Sequence, residues 1–105
     1  MEAEYKLMDE TIRIKLPQEL DHSNATDIRK KADASIYAGK VKNVEFDFSN
    51  TTFMDSSGIG MIMGRYRLVH PLGGKIILSG VTGNVERIIT ISGLHKIVEG
   101  SEIKR

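Results

Sequence analysis

Cysteine is absent from the 105 residues, which excludes a disulfide framework and a thiolate metal site. The three histidines, His22, His70 and His95, lack the close spacing of a zinc motif, so neither a metal nor a cofactor is expected. An excess of one charge is missing too: fifteen Lys and Arg stand against fourteen Asp and Glu, a formal net charge of +1, without any block of like charges. That balance gives no electrostatic footprint for nucleic acid. No apolar run is long enough to span a bilayer, and the opening "MEAEYKLMDETI" is charged where a secretory signal needs an apolar core. A soluble, cytoplasmic protein with no membrane or direct nucleic-acid partner is therefore expected. The length leaves room for one domain over residues 1–105 with a single core, and none for a second lobe closing over a substrate. An enzyme with a deep cleft does not fit.

What is present is patterning. Ile12, Ile14 and Leu16 alternate with Arg13 and Lys15, the period of a half-buried strand, and Ala3 to Leu7 can pair with it through "MDE" as a hairpin. In "SNATDIRKKADASIYAG", Ala25, Ile28, Ala32 and Ile36 fall at helical spacing; Ser23 or Asn24 can cap the start and Gly39 the end. Val44, Phe46 and Phe48 alternate with Glu45 and Asp47, so this strand is one-sided and one face of its sheet meets water. A second helix runs from about Ser56, burying Ile59, Ile62, Met63, Tyr66 and Val69, and stops before Pro71. "GGKIILSG" reads as a buried strand, "TGNVERIITISG" as a helix ending at Gly93, and "LHKIVEG" as a last short strand. Strands alternating with helices argue for a small α/β sheet with parallel core strands and crossover helices.

The junction "TTFMDSSGIGMIMGRYRLV" holds the concentrated chemistry. Gly58, Gly60 and Gly64 give only a loose dinucleotide spacing, and the acidic ribose partner expected about twenty residues on is replaced by Gly80. Four residues apart, Gly60 and Gly64 would instead let the helix sit close to the sheet, while Gly58 would leave the preceding backbone accessible. A nucleophile elbow needs glycine two before the serine, where Met54 stands before Ser56. A phosphate loop lacks its Gly-Lys-Ser/Thr, and Asp47 and Asp55 do not make the acidic set of a receiver domain. Asp55 or Ser56 suits a helix cap. One member of "DSS" suffices for that, which leaves a hydroxyl at the positive end of the helix dipole, where a phosphate gains backbone N–H donors.

"FMDSSGIGMIMGRYRLV", with "ELDH" ahead of it, "GGKIILSG" behind it and "ERIITISGLHKIV" near the end, closely resembles the anti-sigma factor antagonists of the STAS domain family, especially the sporulation type. The resemblance runs from the first strand pair to Val98. It implies an α/β, STAS-like single domain with a small mixed sheet. It also implies a non-catalytic partner switch. The unmodified protein binds an anti-sigma factor that is also a serine kinase and so frees the sigma factor; phosphorylation ends the association, and a serine phosphatase restores it. By this resemblance Ser56 is the phosphorylated residue, and Glu19, Leu20, Asp21, Asp55, Ser56, Ser57 and Gly58 meet the partner. Relatives often have glycine before "ELD", where this chain has Gln18 after Pro17, which implies a stiffer loop; they also commonly continue past the position of Arg105 into a terminal helix. A second reading keeps the STAS fold but makes it a scaffold in a lipid-transport or stress-signalling complex, with Ser56 only a cap.

Overall fold

The computed structural model describes residues 2–97 together with Glu102 and Ile103. Strand β1 (Glu4–Met8) turns back antiparallel onto β2 (Thr11–Lys15), as the alternation predicts. A short β3 (Glu19–Leu20) leads into helix α1 (His22–Tyr37), then β4 (Asn43–Asp47) and a second short strand, β5 (Phe53–Met54). Helix α2 (Ser56–Val69) follows and gives way to one 3-10 turn that contains Pro71. The remainder is β6 (Ile76–Ser79), α3 (Gly83–Ser92), α4 (Leu94–Ile97) and β7 (Glu102–Ile103). Two sheets result: a five-stranded one ordered β1-β2-β4-β6-β7, parallel from β2 onward, and a two-stranded parallel one joining β3 to β5.

The register puts Ile12 beside Val44 and Ile14 beside Phe46, with Ile76 and Leu78 continuing the same two rows. These residues, Phe48, and the inner stripes of the helices form one buried cluster: Ala25, Ile28, Ala32 and Ile36 of α1, Met61, Ile62 and Val69 of α2, Val85 and Ile89 of α3, and Leu94. The opposite face is a ladder of charge. Arg13 reaches Glu45 and Asp47, each at 3.2 Å, and Ser79 Oγ donates to Glu45 at 2.8 Å. Burial pushes the Asp47 carboxyl up, but the Ser49 hydrogen bonds and the charges of Arg13 and Lys15 outweigh this and hold it below the usual carboxylate range. Arg13 is exposed, while Asp47 and Ser79 are buried, so only part of this face meets water.

Four expectations are corrected. Helix α1 is capped by Asp21, one residue before His22, and not by Ser23 or Asn24. The stripe of α2 buries Met61 and Arg65 as well as Ile62 and Val69, while Ile59, Met63 and Tyr66 are only half-buried. Cβ atoms placed on Gly60 or Gly64 would meet nothing within 4 Å, so these glycines do not bring the helix close to the sheet. "LHKIVEG" is not a strand at its start: Leu94–Ile97 is a helical turn with Leu94 in the core, and residues 98–100 lie outside the described residues. A short apolar run carries both readings, and burial of Leu94 decides between them. Among the described residues no helix is long and apolar enough to cross a membrane.

Candidate functional site

The small β3–β5 sheet places the junction. Glu19 pairs with Phe53 and Leu20 with Met54, so the next residue of each strand, Asp21 and Asp55, emerges at the start of a helix. The pairing extends one step further, because the Asp55 N–H donates to the Leu20 carbonyl at 3.1 Å. Behind it, Thr52 N–H donates to Gln18 O at 2.8 Å and buried Thr51 Oγ1 to Pro17 O at 2.8 Å. The Pro17-Gln18 loop is thus tied to the strand that carries the serines. Residues more than thirty positions apart in sequence become one rigid ledge.

At the ledge the cap is Asp55. Its Oδ1 accepts from Ser57 N–H at 2.8 Å and from Gly58 N–H at 3.4 Å; the first is a helix donor that would otherwise be orphaned, and the second also donates to the Asp55 carbonyl at 3.1 Å. Ser56 at the first helical position is exposed, and its hydroxyl makes no hydrogen bond with the described residues. Ser57 is half-buried. The cap therefore differs from the expectation in one respect: the N–H groups of Ser57 and Gly58 are already engaged, so a phosphate on Ser56 would meet the Asp55 carboxylate before it met free amides. Its charge would face outward.

Glu19, Asp21, Asp55, Ser56 and Ser57 are brought together with at least part of each residue accessible. Leu20 and Gly58 are not at the surface. Leu20 is fully buried, and a Cβ on Gly58 would lie 2.6 Å from Met54 Cγ and 2.8 Å from Leu20 Cδ2. Both residues, expected to meet a partner, instead form the packing under the ledge. The glycine is required by close approach. Sequence reading missed Phe53, which is 46% exposed beside the site. Its signal was the alternation of Phe53 with buried Met54, visible only once "FM" is read as a strand.

Among the described residues no three His, Cys, Asp or Glu side chains assemble to hold a metal. A groove of about 230 Å³ lies between α1 and α2 and includes Ser57. The exposed Ser56 hydroxyl, which forms no hydrogen bond with the described residues, is accessible to another protein's catalytic groups.

The sequence pattern of the STAS domain matches residues 3–105. An anti-sigma F factor antagonist of Paenibacillus polymyxa is 36% identical over 85 residues, covering 81% of this chain and 73% of that protein. Among solved structures, the unphosphorylated form of the anti-sigma factor antagonist SpoIIAA is similar with a TM-score of 0.76 at 31% identity, over 85% of this chain and 82% of that one. The phosphorylated form of the Bacillus cell-fate determinant SpoIIAA gives a TM-score of 0.78 at 30% identity, over 98% and 90%.

Proposed function

Because the chain belongs to the STAS domain family, we propose that it is an anti-sigma factor antagonist. Its unmodified form binds an anti-sigma factor that is also a serine kinase, and the sigma factor held by that protein is released. The whole chain, residues 1–105, acts as one STAS domain in the cytoplasm, without catalytic activity, a cofactor, nucleic acid or a membrane. Glu19, Asp21, Asp55, Ser56 and Ser57 form the contact surface; Leu20 and Gly58 hold it in shape.

The observation that carries this reading is the free, exposed hydroxyl of Ser56 on a helix start that Asp55 has already capped. The kinase transfers the terminal phosphoryl group of ATP to Ser56 Oγ; the hydroxyl proton is lost and ADP leaves. The product carries about −1.5 to −2 charges beside Asp55. That charge must be desolvated against a surface shaped for a neutral hydroxyl, and imperfectly paired charge at an interface costs several kcal/mol. A serine phosphatase hydrolyses the ester and restores the binding form.

The test is incubation of the chain with the purified cognate kinase and ATP, followed by phosphopeptide mapping and calorimetric titration of both forms against that kinase. Modification at Ser56 with loss of binding supports the switch. Main modification at Ser57 moves the assignment by one residue, and equal affinity of the two forms overturns the mechanism.

A further inference from the structure

The groove that includes Ser57 is walled by α1 and α2 and lined by His22, Ala25, Arg29, Ser57, Gly60 and Arg65. Ser57, Met61 and Arg65 are spaced four apart and so stack on one face of α2, and helical side chains lean toward the N-terminus. Arg65 and Ser57 line the same groove. Arg65 is only 6% exposed and pairs with Asp33 of α1, with Nε 2.9 Å from Oδ1 in a geometry that makes no hydrogen bond. This ion pair clamps the two helices, which is the ordinary structural role of such a group. It leaves an excess, however. Among the described residues buried Arg65 Nη1 finds no hydrogen-bond partner, and a second cation, Arg29, lines the same groove and acts on the same guanidinium. Burial lowers the proton affinity of Arg65; Asp33 opposes that and Arg29 adds to it.

Unpaired buried guanidinium donors are costly, and the surroundings show what would pair them. The walls at Ala25 and Gly60 are small, and a Cβ on Gly60 would meet nothing within 4 Å, so the groove is open above them. Met61 and Ala25 supply apolar contact for a methylene stem. Arg65, Arg29 and the Ser57 hydroxyl supply donors for an anionic head, and Ser57 is the residue next to Ser56. We propose that this groove is a receptor for one acidic side chain, a Glu or Asp carboxylate presented by the protein that docks over Ser56. The inference rests on the antagonist reading and deepens it. The ledge is rich in carboxylates and the groove in cations, so docking requires a partner surface with opposite charges in a fixed order. That arrangement sets the partner's orientation.

The test is calorimetric titration of the intact chain with its purified cognate kinase-type anti-sigma factor, using two variants. Arg65→Met removes the donors and retains bulk; affinity is expected to fall at least about thirtyfold, as for truncating one member of a buried charge pair. Gly60→Leu leaves Arg65 and Asp33 in place and fills the groove; affinity is expected to fall at least about tenfold while the melting transition stays cooperative. Changing the contacting partner carboxylate to its amide should give the same loss in the native chain and none in Arg65→Met. Unchanged binding by folded Gly60→Leu overturns the groove, and that variant decides alone if Arg65→Met does not fold. Competition by millimolar inorganic phosphate that is abolished in Gly60→Leu would replace the side chain with a free anion, and so overturns the proposed occupant. If the native chain fails to bind, the antagonist reading itself falls, and the partner-borne carboxylate with it.

Discussion

The two helices that start side by side on the β3–β5 ledge are both capped by aspartate and both carry an exposed serine in the first turn, Ser23 and Ser56, yet their caps are closed differently. At α1, Asp21 accepts from Asn24 N–H at 3.1 Å, and Asn24 Oδ1 accepts from Asp21 N–H at 2.9 Å. Asn24 also donates to the Glu19 carbonyl at 2.7 Å. The third helical residue closes the box because the cap's own N–H has no strand partner. At α2 the cap's N–H is used by the sheet, in the bond from Asp55 to Leu20. A side chain reaching back is then unnecessary, and the third position is free to be Gly58, which lets the helix start sit on Leu20 and Met54. The difference teaches that one tertiary hydrogen bond decides whether a helix start is closed on itself or left open for a partner.

The strongest way to break this comparison is to charge the open start. Phosphorylation of Ser56 should weaken binding of the proposed kinase partner a hundredfold or more, about 2.7 kcal/mol or above. Ser56→Asp should reproduce most of the loss, and Ser56→Ala should bind yet resist the kinase. Melting curves should stay cooperative throughout, with stability changed by no more than about 1 to 2 kcal/mol. A collapsed transition in the phosphorylated form would move the effect from recognition to folding.

Overpacking the open start comes next. Gly58→Val places side-chain atoms inside the contact distance of Met54 and Leu20, and chemical denaturation should show a loss of about 2 to 3 kcal/mol. No loss would mean that the ledge yields easily.

Removing each cap sharpens the contrast at smaller scale. Asp55→Ala removes the half-buried acceptor of Ser57 N–H, while Gly58 N–H keeps the Asp55 carbonyl, and should cost about 1 to 2 kcal/mol. Asp21→Ala deprives one N–H at an exposed start and should cost about 1 kcal/mol or less. Equal urea midpoints for the two variants would erase the distinction.

The smallest effect has the opposite sign. Gly60→Ala, one residue pair beyond Gly58, adds a methyl into open space and should stabilise by up to about 1 kcal/mol through helix propensity. A decrease in melting temperature would show that Gly60 is packed after all.

Much of this was legible along the chain. Alternation in β2 and β4, the helical spacing of Ala25, Ile28, Ala32 and Ile36, and the stop before Pro71 are local consequences of side-chain period and proline geometry, and the structure bears each out. The same local chemistry made Asp55 or Ser56 a cap and left one hydroxyl spare. Other features depended on partners distant in sequence. Two-residue strands carry no periodicity, so "EL" and "FM" became a sheet only through each other. Three glycines look alike in a row, and only the approach of Leu20 and Met54 selects Gly58 as the indispensable one. Arg65 reads as a surface charge on a helix, but Asp33 and the α1–α2 packing bury it. Local pattern therefore determined which segments are strands and helices and which residues can cap or accept a phosphate. Tertiary structure alone decided which polar groups are satisfied and which face outward, because burial and non-local hydrogen bonds depend on where the rest of the chain arrives.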